Sequence, residues 1–92
     1  MRTYELMQQL NQRKIDLIKT DLDAARTFAQ IARDSSDPEK ASRNRRNARK
    51  GYDTVNHLLS TADVQPGERQ TLETEIAALK SALTQLGETF QP

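Results

Sequence analysis

Six cations stand between Lys40 and Lys50 with no acid among them: Lys40, Arg43, Arg45, Arg46, Arg49 and Lys50. Guanidinium and ammonium groups at this density can track phosphates or meet an acidic partner. At about 100° per residue on a helix, Arg43, Arg46, Lys50 and His57 fall on one outward face, with Arg49 at its edge. No aromatic residue interleaves with these cations, so no base-stacking platform is expected. No short glycine turn of the helix-turn-helix kind accompanies them either. The plainer reading is a solvated helix face that pairs with neighbouring acids, for which Asp34, Glu39 and Asp53 are the candidates.

The remaining chemistry-bearing residues do not assemble into a catalytic constellation. His57 is the sole histidine and follows Asp53 by four residues, so a carboxylate can hold its ring on one helical face. Catalysis also requires a nucleophile or a substrate pocket beside it, and the nearby hydroxyls, Thr54 and Ser60, read as surface residues. There is no cysteine, no Glu-x-x-His pair and no Asp-x-Asp calcium loop. Glu73 and Glu75 point to different faces, while Asp16 and Asp23 share one and read as solvent charges, with Lys19 able to pair with Asp23. The three glycines are scattered and form no phosphate cradle. We therefore expect no enzymatic activity, no catalytic residue, no metal, no cofactor and no small-molecule substrate.

Composition narrows the class further. Fourteen basic and thirteen acidic residues leave a net charge of +1, so the strong overall field of a dedicated nucleic-acid binder is missing. The apolar share is 35 %, and ten of those residues are alanine; the core should be thin, and self-association or a partner should help stabilise it. No apolar stretch approaches the roughly 20 residues of a membrane span. No apolar signal segment is visible near the start of the sequence, so a cytoplasmic location and no membrane partner are expected.

These residues must be positioned by helices. Asp37-Pro38-Glu39 reads as an N-cap, a first-turn proline and a first-turn acid, with Ser36 and Glu39 an alternative capping box. A second break spans 62–68, where Pro66 again suits a first turn, and Gly87 suits a C-cap. Between the breaks lie three periodic segments. The first runs from about Thr3 to Asp34, with one stripe of Ile15, Ile18, Leu22, Ala25, Ala29 and Ala32. A second stripe of Leu10, Leu17, Ala24, Phe28 and Ile31 makes the apolar face wide enough for two neighbours, interrupted by Asn11, Lys14 and Asp21. The middle segment, Pro38 to about Thr61, turns Ala41, Ala48, Tyr52, Val55 and Leu59 inward, and its small residues invite close approach of another helix. The third carries a seam of Leu72, Ile76, Leu79, Leu83, Leu86 and Phe90.

Short loops make neighbouring helices antiparallel. The expected fold is all-α, a single domain over residues 1–92: an up-down-up three-helix bundle with a long first helix. At 1.5 Å per residue the first helix is roughly 48 Å long and the second roughly 35 Å, so about eight to ten residues of the first should overhang. The alternative is a break near Asn11 that folds 1–11 back as a fourth short helix.

The arrangement from about Asp21 to Gly87 resembles helical-hairpin families, above all the microtubule-interacting-and-transport domain and the tetratricopeptide repeat. Ala24-Ala25 with Phe28, and Ala48 with Tyr52, look like their small-residue and aromatic packing; Leu72, Ile76, Leu79 and Leu83 look like the third helix of the former. The resemblance implies a non-catalytic domain that docks a peptide helix between its own helices, and it transfers no binding residue. The expected function is thus a small helical protein-interaction module. One candidate surface is the overhang bearing Tyr4, Leu6, Met7 and Leu10, suited to a homodimer. The other is the thinly covered end where Phe28, Leu83 and Phe90 meet Ala41 and Ala48, suited to an acidic partner helix. The competing expectation is nucleic-acid or acidic-surface binding through Arg43, Arg46, Arg49 and Lys50.

Overall fold

A computed structural model describes residues 2–91. Among them are three helices and no strand: α1 (Thr3–Asp34), α2 (Pro38–Thr61) and α3 (Pro66–Gln85). Asp37 caps α2, its Oδ1 accepting from the Glu39 N–H at 3.0 Å, with Pro38 in the first turn. The cap thus uses Asp37 and not the Ser36 alternative. α3 ends in a Schellman turn: Glu88 N–H donates to the Leu83 carbonyl and Gly87 N–H to Thr84, both at 3.0 Å. That turn needs a left-handed residue, and Gly87 supplies it at φ 100.

α1 is continuous through Asn11, so residues 1–11 do not fold back as a separate helix; of these, Met1 lies outside the described residues. Asn11 is polar within an apolar sector for a different reason. Its Nδ2 donates to the Asp63 carbonyl and its Oδ1 accepts from the Asp63 N–H, each at 2.8 Å. Lys14 adds a bond from Nζ to the Thr61 carbonyl at 3.4 Å. The two polar interruptions hold the end of α2 and the start of the next connection against α1, and Arg69 Nη2 donates to the Leu59 and Ala62 carbonyls there. These bonds join the start of α1 to the end of α2, which makes the pair antiparallel. Bonds from Arg45 to residues after α3 do the same for α2 and α3.

The core follows the predicted stripes. Ile15, Ile18, Leu22, Ala25 and Ala29 of α1 form one core with Ala48, Val55 and Leu59 of α2 and Leu72, Ile76, Leu79 and Leu83 of α3, and Ala32 is buried beyond it. A fully buried aliphatic side chain such as Ile18 or Leu22 stabilises by about 1.5–3 kcal/mol, against about 0–1 kcal/mol for an exposed ion pair. The fold therefore rests on these stripes and not on its many charges. α1 and α2 form the tighter hairpin, while α3 packs more openly on both. Asn44 is a buried polar residue that the apolar periodicity did not mark; its Nδ2 donates to the Lys40 carbonyl at 2.8 Å.

Two expectations about the apolar residues need correction. The second stripe of α1 does not serve a second neighbour: Leu10, Leu17 and Ala24 are exposed, and Phe28 and Ile31 are half-buried. Two partner helices are already satisfied by the first stripe. Phe90 is not part of the α3 seam, because the helix stops at Gln85 and Gly87 redirects the chain.

Candidate interaction surfaces

Every residue from Arg2 to Leu10 is exposed. This is the overhang expected from the unequal helix lengths, and the molecule extends 53 Å along its long axis. Tyr4 is 72 % exposed, Leu6 46 %, Met7 61 %, Leu10 48 % and Leu17 46 %, and no other large apolar side chain among the described residues is exposed. Leu6, Leu10 and Leu17 lie within about 40° of one another on the helix. Tyr4 and Met7 sit on the core-facing side, beyond the reach of the shorter helices. Between them and the connection from α2 to α3 is a cleft of about 780 Å³ bordered by Asn11, Ile15, Asp63 and Glu68.

The basic run divides in two. Lys40, Arg43, Arg46 and Lys50 are exposed and form no ion pair among the described residues. Arg45 and Arg49 turn the other way, toward α3. Arg49 Nε meets Asp53 at 3.2 Å, the i,i+4 partner its spacing suggests. Asp34 is instead taken by Arg33 at 3.0 Å, whose hydrogen bond and positive charge hold that carboxyl below the usual aspartate range. Lys19 pairs with Glu68 on α3 at 2.7 Å in place of Asp23. His57 is exposed, and among the described residues its ring makes no hydrogen bond to Asp53.

Glu88 is the acid that sequence reasoning missed. Its Oε2 accepts from Arg45 Nε at 2.6 Å and its Oε1 from Arg49 Nη1 at 3.2 Å. Burial works to lower the Arg49 pKa, but hydrogen bonds and charge attraction from Asp53 and Glu88 outweigh it and leave the guanidinium raised. Two signals pointed here: a glycine stop that turns the chain back, followed at once by an acid, and two arginines four residues apart on one helix face. The same turn lays Phe90 on Tyr52, ring centroids 4.9 Å apart and edge-on, with Arg49 Cζ 4.2 Å from the Phe90 centroid. An aromatic ring thus meets Arg49 of the basic run although none interleaves with the cations in sequence, because the chain returns to it after α3.

Of the alanines expected to line the end groove, Ala48 is buried and Ala41 is half-buried. Leu83 is 0 % exposed and belongs to the core, so it offers no docking surface; Phe28 and Phe90 are half-buried. A different groove lies between α1 and α3, about 540 Å³, floored by Ala29, Leu79, Ala82 and Leu86 and rimmed by Arg26 and Arg33. Among the described residues no group of three histidines or acids is placed to hold a metal ion, and no helix is long and apolar enough to cross a membrane.

The fold and these surfaces define the chain as an all-α three-helix bundle. Compared with protein-family models, with curated proteins and with solved structures, it matches none.

Proposed function

We propose that this chain is a non-enzymatic helical interaction module that associates with a second copy through the N-terminal half of α1. One observation carries the reading: among the described residues, all five exposed large apolar side chains, Tyr4, Leu6, Met7, Leu10 and Leu17, lie within one stretch of a single helix. Leaving the face of Leu6, Leu10 and Leu17 in water forgoes hydrophobic stabilisation that a partner recovers. Two antiparallel copies of this stretch bring Leu6 of one opposite Leu17 of the other, with Leu10 near the twofold axis, a spacing that suits a short coiled-coil seam. The low share of large apolar residues available to the core points the same way. The cysteine-free sequence suits a cytoplasmic setting, which we include in the proposal.

Solution mass by sedimentation equilibrium tests it. The unaltered chain should form dimers in a concentration-dependent manner. The double variant Leu6→Gln/Leu10→Gln should be monomeric at the same concentrations with an unchanged helical circular-dichroism spectrum. An unaltered chain that stays monomeric across the concentration range ends the proposal.

A second reading has its own support. Lys40, Arg43, Arg46 and Lys50 form an exposed cationic strip without ion partners among the described residues, suited to nucleic acid or an acidic surface. Fluorescence polarisation with mixed-sequence DNA and RNA at low and high salt tests it. Absence of binding at low salt rejects it, and salt-sensitive binding lost in Arg43→Gln/Arg46→Gln supports it.

A further inference from the structure

The segment after α3 occupies its place on α2 in the manner of a bound peptide. Arg45, Arg49 and Tyr52 are spaced four and three residues apart and so project from one side of α2. Together they read three successive positions. The Glu88 carboxylate lies between the two guanidinium groups, one oxygen to each, at 2.6 and 3.2 Å. The main chain on either side of it is also held: Arg45 Nη1 donates to the Leu86 carbonyl at 3.0 Å and Arg49 Nη1 to the Thr89 carbonyl at 2.7 Å. The Phe90 ring meets Tyr52 edge-on, with Arg49 Cζ 4.2 Å and Lys80 Nζ 5.2 Å from its centroid. Thr89 between them is exposed and makes no side-chain hydrogen bond among the described residues. The pattern that is read is therefore an acid, any residue, then an aromatic ring.

We propose that Arg45, Arg49 and Tyr52, with Lys80 at the rim, form a binding site for an extended segment of a partner protein bearing a carboxylate two residues before an aromatic ring, and that Glu88-Thr89-Phe90 fills this site in cis. Three features support it. The reading groups stand on α2 and α3, whose shared core includes Ala48, Val55, Leu79 and Leu83, with Phe90 packed at its edge. The occupant has no regular structure beyond the Gly87 turn, so its release costs α3 only the capping bond from the Glu88 N–H to the Leu83 carbonyl. Its ion pairs are partly solvated on the cation side, with the Arg45 side chain 43 % and the Arg49 side chain 29 % exposed against 16 % for Glu88. The occupant is also singular in this chain. Tyr4, Phe28 and Tyr52 each follow a cation by two residues, at Arg2, Arg26 and Lys50, and Phe90 alone follows an acid. A partner segment therefore competes with one internal sequence at the high effective concentration of an intramolecular ligand. The site does not involve the Leu6–Leu17 stripe, so it stands or falls apart from self-association.

The test uses the full chain and a fluorescent peptide, Leu-Gly-Glu-Thr-Phe-Gln, in polarisation titrations. The Glu88→Ala/Phe90→Ala chain, with its site vacated, should bind the peptide at least tenfold more tightly than the unaltered chain does. Peptides with alanine for the glutamate or for the phenylalanine should lose that binding at least tenfold, as should the vacated chain further altered by Arg49→Ala. A vacated chain that keeps its native circular dichroism and does not bind, or that binds the alanine peptides equally well, overturns the proposal. Should the vacated chain fail to fold, the unaltered chain decides: excess peptide should move the amide resonances of Glu88, Thr89 and Phe90 toward random-coil positions, and unmoved resonances overturn the proposal.

Discussion

Ala25 and Gly51 set the separation of α1 and α2: a Cβ built on Gly51 would stand 2.7 Å from the Ala25 Cβ. No flexible side chain lies there to yield, since the obstructing atom is attached directly to the α1 backbone. Gly51→Ala should therefore destabilise by about 1–3 kcal/mol as an overpacking change, despite the roughly 1 kcal/mol by which alanine exceeds glycine in helix propensity. Gly67, in the first turn of α3, has nothing within 4 Å of the same added atom. Gly67→Ala should be neutral or stabilise by up to about 1 kcal/mol. Urea denaturation of both variants should show these opposite signs.

Asn11 reaches across 52 residues of sequence to Asp63 through two bonds of 2.8 Å. Asn11→Ala should cost about 1–2 kcal/mol, since exposed hydrogen bonds each contribute about 0.5–1.5 kcal/mol net. The loss should be local. Hydrogen exchange at the Asp63 amide should quicken while the amides of Ile18 and Leu22 keep their protection.

Gly87 holds φ 100, and a Cβ there would lie 3.2 Å from Arg45 Nη1. Gly87→Ala should cost about 1–2 kcal/mol for the left-handed backbone alone. It should also loosen the Arg45 and Arg49 contacts to Glu88. Chemical denaturation measures the first effect, and a faster exchange of the Glu88 amide the second.

Two exposed ion pairs give pH dependences of opposite sense. The hydrogen bond and charge of Glu68 raise Lys19 above its ordinary 10.5. Its contribution is complete below 10.5 and is lost as pH rises through the higher folded value. The bond from Arg33 lowers Asp34 below its ordinary 3.8; its contribution is present above 3.8 and is lost as pH falls through the lower folded value. Lys19→Gln should thus lower the melting temperature slightly at neutral pH and low salt, with the difference vanishing in strong alkali. Asp34→Asn should do so at neutral pH with the difference vanishing in acid.

Helix boundaries and the main buried stripes were legible in the sequence. Asp37-Pro38 and Pro66 mark starts, Gly87 marks a stop, and the six-residue stripe from Ile15 to Ala32 is buried as its spacing requires. Each is a local signal, set by residues within a turn or two of one another. The candidate surfaces were legible in part. The overhang with Tyr4, Leu6, Met7 and Leu10 followed from unequal helix lengths alone. Leu83 and Phe90, offered as neighbours in one groove, proved to be a core residue and a returning tail residue.

The sequence by itself determined three helices, their antiparallel order and the main stripe each buries, because periodicity and capping are written among near neighbours. Only the tertiary structure decided that Arg45 and Arg49 meet Glu88 across 43 and 39 residues, and that Phe90 lies on Tyr52. A charge carries no periodic mark of which opposite charge it will meet. That choice depends on where a left-handed glycine aims the chain once the helices have packed.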